Sequence, residues 1–375
     1  MKLKNITRSN IIALIIVTLL STAVALQSCS NHKASFVGVE TPKAETLKNA
    51  GFDQKSLDEL TKYIEDNSAT TGMVVLHDGK IVYEFGDTQE LSYNASVRKS
   101  ILAMLYGKYV EDGTIDLNLS IGALGIDEDD GLLPQEKEAT VNDIITARSG
   151  VFHIPANGGY DKDNALKRGS VKNGEYFLYN NWDFNVAGYI LEQATGRSVY
   201  EEIELQLAIP LGMQDWNIKN QKRKVNEGKS RYSAYHMYFS TRDMAKIGQL
   251  MLNKGRWNGK QLISEKWIKK ITTTVTPVNV VNKRYNRNEK TLVQFSYGYM
   301  WWLFEKFYER EDMQGAYSAN GWGGQYITVI PKRELVIVLK NKMHFLVLWG
   351  LKGGGTDSRI YWEILNKLLS TDQTS

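Results

Sequence analysis

The sequence predicts an α+β fold in which an antiparallel sheet, assembled from both ends of a domain and flanked by terminal helices, supports a mostly helical lobe at roughly residues 100–270. Three observations carry this. Strand signals open the domain in "TGMVVLHDGKIVYEFGD", two apolar runs around Asp78-Gly79, a pair that favours a tight hairpin. They return near the C-terminus in "SYGYMWWLFE", "QYITVIP" and "LVIVLKN". Between them lie stretches of helical spacing, "TVNDIITARSG", "NVAGYILEQATG" and "STRDMAKIGQLMLNKG", with Thr140 and Thr241 as expected N-caps and Gly196 and Gly255 as expected stops.

The flanking helices are read from "DQKSLDELTKYIEDN", with Leu57, Leu60 and Ile64 on one face, and from "SRIYWEILNKLL". With 42% hydrophobic and 23% charged residues, the 375-residue chain can bury a large core. The balance of 46 basic against 42 acidic residues gives +4, and no basic cluster is interleaved with aromatics, so nucleic acid is not an expected partner.

The N-terminus stands apart from the domain. Lys2, Lys4 and Arg8 precede an uncharged apolar run from Ile11 to Leu26, short of the about 20 residues a membrane span takes. The run ends in "LQSC", and Cys29 is the sole cysteine. This resembles the lipobox of bacterial lipoproteins. It implies a signal peptide over 1–28, lipidation of Cys29, a tether over 29–48 and a domain over 49–375. The expected location is the membrane, facing the periplasm or the cell surface, and the domain must be stable without disulfides.

The chemistry-bearing stretch is "SYNASVRKSILAML", where Ser96 meets an apolar helical pattern carrying Ile101, Leu102, Leu105 and Tyr109. Residues three apart on a helix are neighbours, so Lys99 can approach the Ser96 hydroxyl. The helix N-terminus there favours a developing oxyanion. Burial would lower the lysine pKa and make it a base at neutral pH. Ser-x-x-Lys alone has little weight, since the pattern recurs as Ser30-Asn-His-Lys33, and a capping serine with a solvated lysine reads equally well. Order along the chain supplies the rest. "YNNWDFNVAGYILEQATG" follows, with Tyr179-Asn180-Asn181 at the mouth of a helix, and then "YSANGWGGQYITVIP", where Gly321, Gly323 and Gly324 precede a strand.

In these motifs and their order the chain resembles the serine β-lactamase and penicillin-binding-protein superfamily. More closely it looks like the class C-type branch of carboxylesterases, D-aminopeptidases and 6-aminohexanoate-dimer hydrolases. The collinear stretches "VNDIITARSGV", "IPLGMQDW" and "GGQYITVIPKRELVIVLKN" extend the resemblance from about residue 50 to 370. It implies a β-lactamase-like fold and a serine hydrolase needing no cofactor. Ser96 would be the nucleophile, Lys99 the base, and Tyr179, its pKa depressed by Lys99, the acid. Asn181 would orient Lys99 and a substrate amide, and the backbone N–H groups of Ser96 and Gln325 would form the oxyanion hole. Trp322-Gly323-Gly324 would stand for the family's Lys-Thr-Gly and line the substrate site. A tryptophan there points to a small-molecule or short-peptide ester or amide with a neutral or apolar acyl group. The rival readings are a D,D-peptidase or β-lactamase, and a penicillin-binding-like sensor without turnover.

The remaining candidates are expected to be structural. His153 in "SGVFHIP" reads as scaffold or cleft edge, Trp182, Trp301 and Trp302 as core, and "GIDEDDG" as a solvated acidic turn. The five histidines show no metal-ligand spacing, so no metal is expected.

Overall fold

The computed structural model describes residues 44–343 and 355–370, all within one unit, Val39–Ser375. The signal segment and Cys29 lie outside the described residues. The folded part begins within the tether predicted over 29–48, ahead of the expected start at 49: Ala44–Asn49 is helical, and Leu47, Ala50 and Phe52 are buried in the core.

Helix α1 (Gln54–Asn67) starts at Asp53, whose carboxylate accepts from the Ser56 N–H, and it buries Leu57, Leu60 and Ile64 as its spacing requires. Strands β1 (Gly72–His77) and β2 (Lys80–Gly86) turn at Asp78 and Gly79, both left-handed at φ 47° and 73°. Such a turn matches the twist of the two strands. The central helices are α2 (Val97–Glu111), α3 (Asn181–Thr195) and α4 (Thr241–Leu252). The C-terminal strands are β3 (Val293–Tyr297), β4 (Trp302–Phe307), β5 (Tyr317–Gly321), β6 (Gln325–Ile330) and β7 (Leu335–Lys340), and α5 (Ser358–Ser370) follows.

The strands form one antiparallel sheet in the order β2-β1-β7-β6-β5-β4-β3, so the N-terminal hairpin pairs directly with the last strand, Gly72 opposite Lys340 through His77 opposite Leu335. Every residue of β6 and β7 is buried, because both faces are covered. Leu57, Leu60 and Ile64 of α1 and Tyr361, Ile364, Leu365 and Leu368 of α5 close one face over Val75, Tyr326, Leu335 and Ile337. Helix α4 closes the other, and Gly248 permits it, since a Cβ there would overlap Val336 and Ile327. Each large apolar side chain buried this way contributes about 1.5–3 kcal/mol.

The interior lobe is less purely helical than predicted. It holds short helices such as Val141–Ile145 and Val199–Ile203, but also a hairpin of Lys222–Asn226 with Ser230–His236. Thr140 caps Val141–Ile145 and Gly196 ends α3 in a left-handed conformation, as expected. The cap of α4 is Ser240 rather than Thr241; its hydroxyl accepts from the Asp243 N–H. Helix α2 lacks the one-sided pattern read from Ile101, Leu102, Leu105 and Tyr109: residues 97–107 are all buried. It runs through the middle of the molecule, where Gly107 lets the Trp267 ring approach within 2.5 Å of the position a Cβ would take.

Candidate active site

Ser96 sits where a constrained turn feeds α2. Asn94 is fully buried and anchors the turn: its Oδ1 accepts from the Phe239 N–H (2.7 Å), and its own N–H donates to the Met237 carbonyl. Ala95 then takes φ 47°, a left-handed conformation that L-residues adopt at a cost of about 1 kcal/mol or more. The strain lifts Ser96 to the helix mouth at φ −81° and ψ −7°, and its side chain makes no capping hydrogen bond. The hydroxyl is thus not spent on capping. It lies near the Tyr179 phenol, whose pKa it pulls down.

Lys99 is 1% exposed, and its Nζ has no hydrogen-bond partner among the described residues. The amine lies 3.8 Å from the ring centre of Tyr179 and 4.2 Å from that of Phe184. Burial holds it well below the usual lysine range, and the neighbouring Arg98 charge pushes the same way. Lys99 is thus a buried amine in an aromatic seat, where desolvation favours its neutral form.

Tyr179 is delivered by the segment leading into α3. The Leu178 N–H donates to the Ala147 carbonyl, and Asn180 caps the helix by accepting from the Trp182 N–H while its Nδ2 donates to the His153 carbonyl. The ring packs on Phe184, Tyr297 and Trp302 at centroid distances of 5.1, 6.1 and 5.5 Å. The expected depression of its pKa does not hold. Burial raises it to about 12, against the opposing pull of the Ser96 hydroxyl and the Arg98 charge. Burial thus favours the protonated phenol on Tyr179 and the neutral amine on Lys99.

Asn181 does not reach Lys99 by any hydrogen bond. Its Nδ2 donates to the Gly158 carbonyl and its buried Oδ1 is unpartnered. Of Gly321, Gly323 and Gly324, the first meets the turn that carries Ser96. A Cβ on Gly321 would sit 2.7 Å from the Asn94 carbonyl oxygen, so Gly321 is where the sheet touches the nucleophile turn. Added Cβ atoms at Gly323 and Gly324 would instead meet Met343 and Asn341. Gln325 pairs with Gly321 across the turn, and its Nε2 donates to the Asn341 carbonyl (2.8 Å). Strand β4 pairs with β5 only through Tyr317 and Ser318, which leaves the edge at Ala319–Gly321 open on the side away from Gln325. Trp322, just beyond Gly321, is 59% exposed and so not core, whereas Trp182 and Trp301 are buried as expected.

His153 is structural: its ring nitrogens contact the Ile154 carbonyl and an Asp130 carboxylate oxygen, both at 3.0 Å. The acidic turn is more than solvated. Glu128 is buried and accepts from the Trp182 Nε1 (2.6 Å), the Ser230 hydroxyl (2.5 Å) and the Arg231 N–H (2.9 Å), tying the lobe together. No cluster of histidine, cysteine and acidic residues that could hold a metal occurs among the described residues.

The fold has known relatives. Over 264 residues the chain is 24% identical to an uncharacterized protein of Alkalihalophilus pseudofirmus, covering 65% of this chain and 71% of that one. A protein from Bacillus anthracis proposed to be a 6-aminohexanoate-dimer hydrolase is similar in structure, with a TM-score of 0.56 at 22% identity, covering 82% of each chain. A family VIII carboxylesterase gives 0.58 at 15% identity, over 84% of this chain and 97% of that one. At such identities the structural likenesses establish the fold. The family itself is settled by residues 57–346, which match the model described as Beta-lactamase: the chain belongs to the β-lactamase family, a group of serine hydrolases.

Proposed function

We propose that the protein hydrolyses an ester or amide bond through an acyl-enzyme on Ser96. The observation that carries the reading is the pairing of a serine hydroxyl not used for capping with a buried, unpartnered amine across the face of Tyr179. As Ser96 attacks the carbonyl, its proton passes to Tyr179 while the phenol proton moves to Lys99, so phenolate never accumulates. The reverse passage protonates the leaving group. Water then repeats the cycle to release the acid. The oxyanion is held by the Ser96 N–H together with a backbone N–H from the open end of β5 beside Gly321.

Exposed Trp322 presents an apolar face near this point, where the family's Lys-Thr-Gly would offer a cation. That favours a neutral or apolar acyl group over a carboxylate-bearing β-lactam or peptide. Lipidation of Cys29 would place the enzyme on the membrane, facing the periplasm or cell surface. Asn181, with its unpartnered Oδ1, remains the proposed ligand for a substrate amide.

The test uses p-nitrophenyl esters, a fluorophosphonate and a labelled penicillin with the wild type and Ser96→Ala. Ester turnover and fluorophosphonate labelling, both lost in Ser96→Ala, are expected. Penicillin labelling without ester turnover would favour the peptidase or sensor reading instead. For the anchor, Cys29→Ala should shift the protein from the membrane to the soluble fraction.

A further inference from the structure

The residue between nucleophile and base, Arg98, is 1% exposed and forms no ion pair with a carboxylate among the described residues. Its Nη2 donates to the Asn185 Oδ1 (3.0 Å), its guanidinium lies 4.3 Å over the Tyr235 ring, and its Nη1 has no acceptor. Asn185 is itself fixed, donating to the Asn157 Oδ1 (3.1 Å) and the Tyr232 carbonyl (3.3 Å). The acid on α3, Asp183, accepts from the Ser149 hydroxyl (2.7 Å) and forms no ion pair with Arg98; burial raises its carboxyl well above the usual range.

A buried cation without a counter-ion is a heavy cost to a fold, and an apolar side chain of similar volume would avoid it. Arg98 is also immobile, gripped by Asn185 and Tyr235, and is adjacent to Lys99 on the first turn of α2. The groups around this pair are Tyr93 on the turn, Tyr179 and Phe184, Asn185 with Asp183 on α3, Tyr235 and His236 on the neighbouring strand, and Tyr200 on Val199–Ile203. Arg98 is the fixed charge among them. Its field disfavours an ammonium on Lys99 and favours negative charge on Tyr179, the two changes that proton removal from Ser96 requires.

We propose that Arg98 is a positioning residue for the hydrolysis, a buried cation without a counter-ion next to Lys99 that sets the lower pH limit of Ser96 acylation. The inference rests on the hydrolase reading above. Its test is the pH profile of kcat/KM for a p-nitrophenyl ester, measured for the wild type, Arg98→Met, Arg98→Lys and Asn185→Asp. Arg98→Met removes the charge. Asn185→Asp leaves Arg98 in place and sets a carboxylate against it, so the experiment stands even if Arg98→Met does not fold. The acidic limb should move up by about one pH unit in both, since a near charge shifts a pKa by about that much or more, and it should stay in place in Arg98→Lys. An unmoved limb in Asn185→Asp, or an equal shift in Arg98→Lys, overturns the proposal. Absence of Ser96-dependent turnover in the wild type would overturn the hydrolase reading itself, whereas turnover with an unmoved limb overturns only the part assigned to Arg98.

Discussion

Two buried lysines stand at opposite ends of the site-bearing architecture and are treated differently. Lys340 closes β7; its Nζ donates to the Glu90 carbonyl (3.1 Å) and to the Phe239 carbonyl. Lys99 opens α2 and donates to nothing among the described residues. Burial lowers both, Lys340 to about 7 against the opposing acids led by Glu90, and Lys99 well below its usual range with Arg98 pushing the same way. A lysine that ties strand to loop is given acceptors. The lysine proposed as the base is left without them, and an accepting carbonyl there would hold the ammonium form. Satisfaction of hydrogen bonds, more than burial, separates Lys340 from Lys99.

The largest effect should come from removing the reactive pair. Ser96→Ala and Lys99→Met are each expected to lower kcat by about a thousandfold or more, read by ester turnover, since members of a nucleophile–base unit fail together. Lys340→Met should leave kcat within a few-fold.

Stability should run the other way. Lys99→Met removes a desolvated amine that has no partner, and its thermal midpoint should rise at neutral pH. The sign follows from linkage: a lysine with a lowered folded pKa binds more protons unfolded, so wild-type stability falls as pH drops from the usual lysine value toward the folded one, and the variant lacks that loss. Lys340→Met orphans two carbonyls and should cost about 1–3 kcal/mol by denaturant unfolding. An equal sign for the two variants would break the comparison.

A smaller effect is expected at His236. Burial first, then the charges of Arg98 and Lys224, lower its pKa from 6.5 to about 3. The unfolded chain binds the extra proton in that window, so stability is lost as pH falls from about 6.5 toward 3. His236→Phe should flatten this acid slope in thermal melts. Trp322→Ala, on the exposed rim, should change KM for apolar acyl esters several-fold with little change in melting temperature.

What the sequence makes legible is whatever depends on local chemistry. Asp78-Gly79 specifies its turn, Leu57, Leu60 and Ile64 specify a helix face, and Ser96, Lys99 and Tyr179 lie together in the fold as their order implies. Properties set by packing from several directions are hidden. Helix α2 shows no stripe because every side of it is covered. The choice of Gly321 over Gly323 and Gly324 depends on which strand the Asn94 turn meets. Glu128 reads as a surface acid until Trp182 and Ser230 are brought to it. The protonation of Tyr179 follows from aromatic burial that no spacing reveals. Arg98 was visible in principle, as a charge within an otherwise apolar helix start, but its lack of a counter-ion is a fact of three dimensions.

The central claim is that Ser96 carries the acyl group. Intact-protein mass spectrometry during turnover of a p-nitrophenyl ester, with peptide mapping of the quenched sample, tests it most directly. A mass gain equal to the acyl group, located on the peptide bearing Ser96 and absent from Ser96→Ala, is predicted. Undiminished turnover by Ser96→Ala, or an acyl adduct on any other residue, would contradict the account.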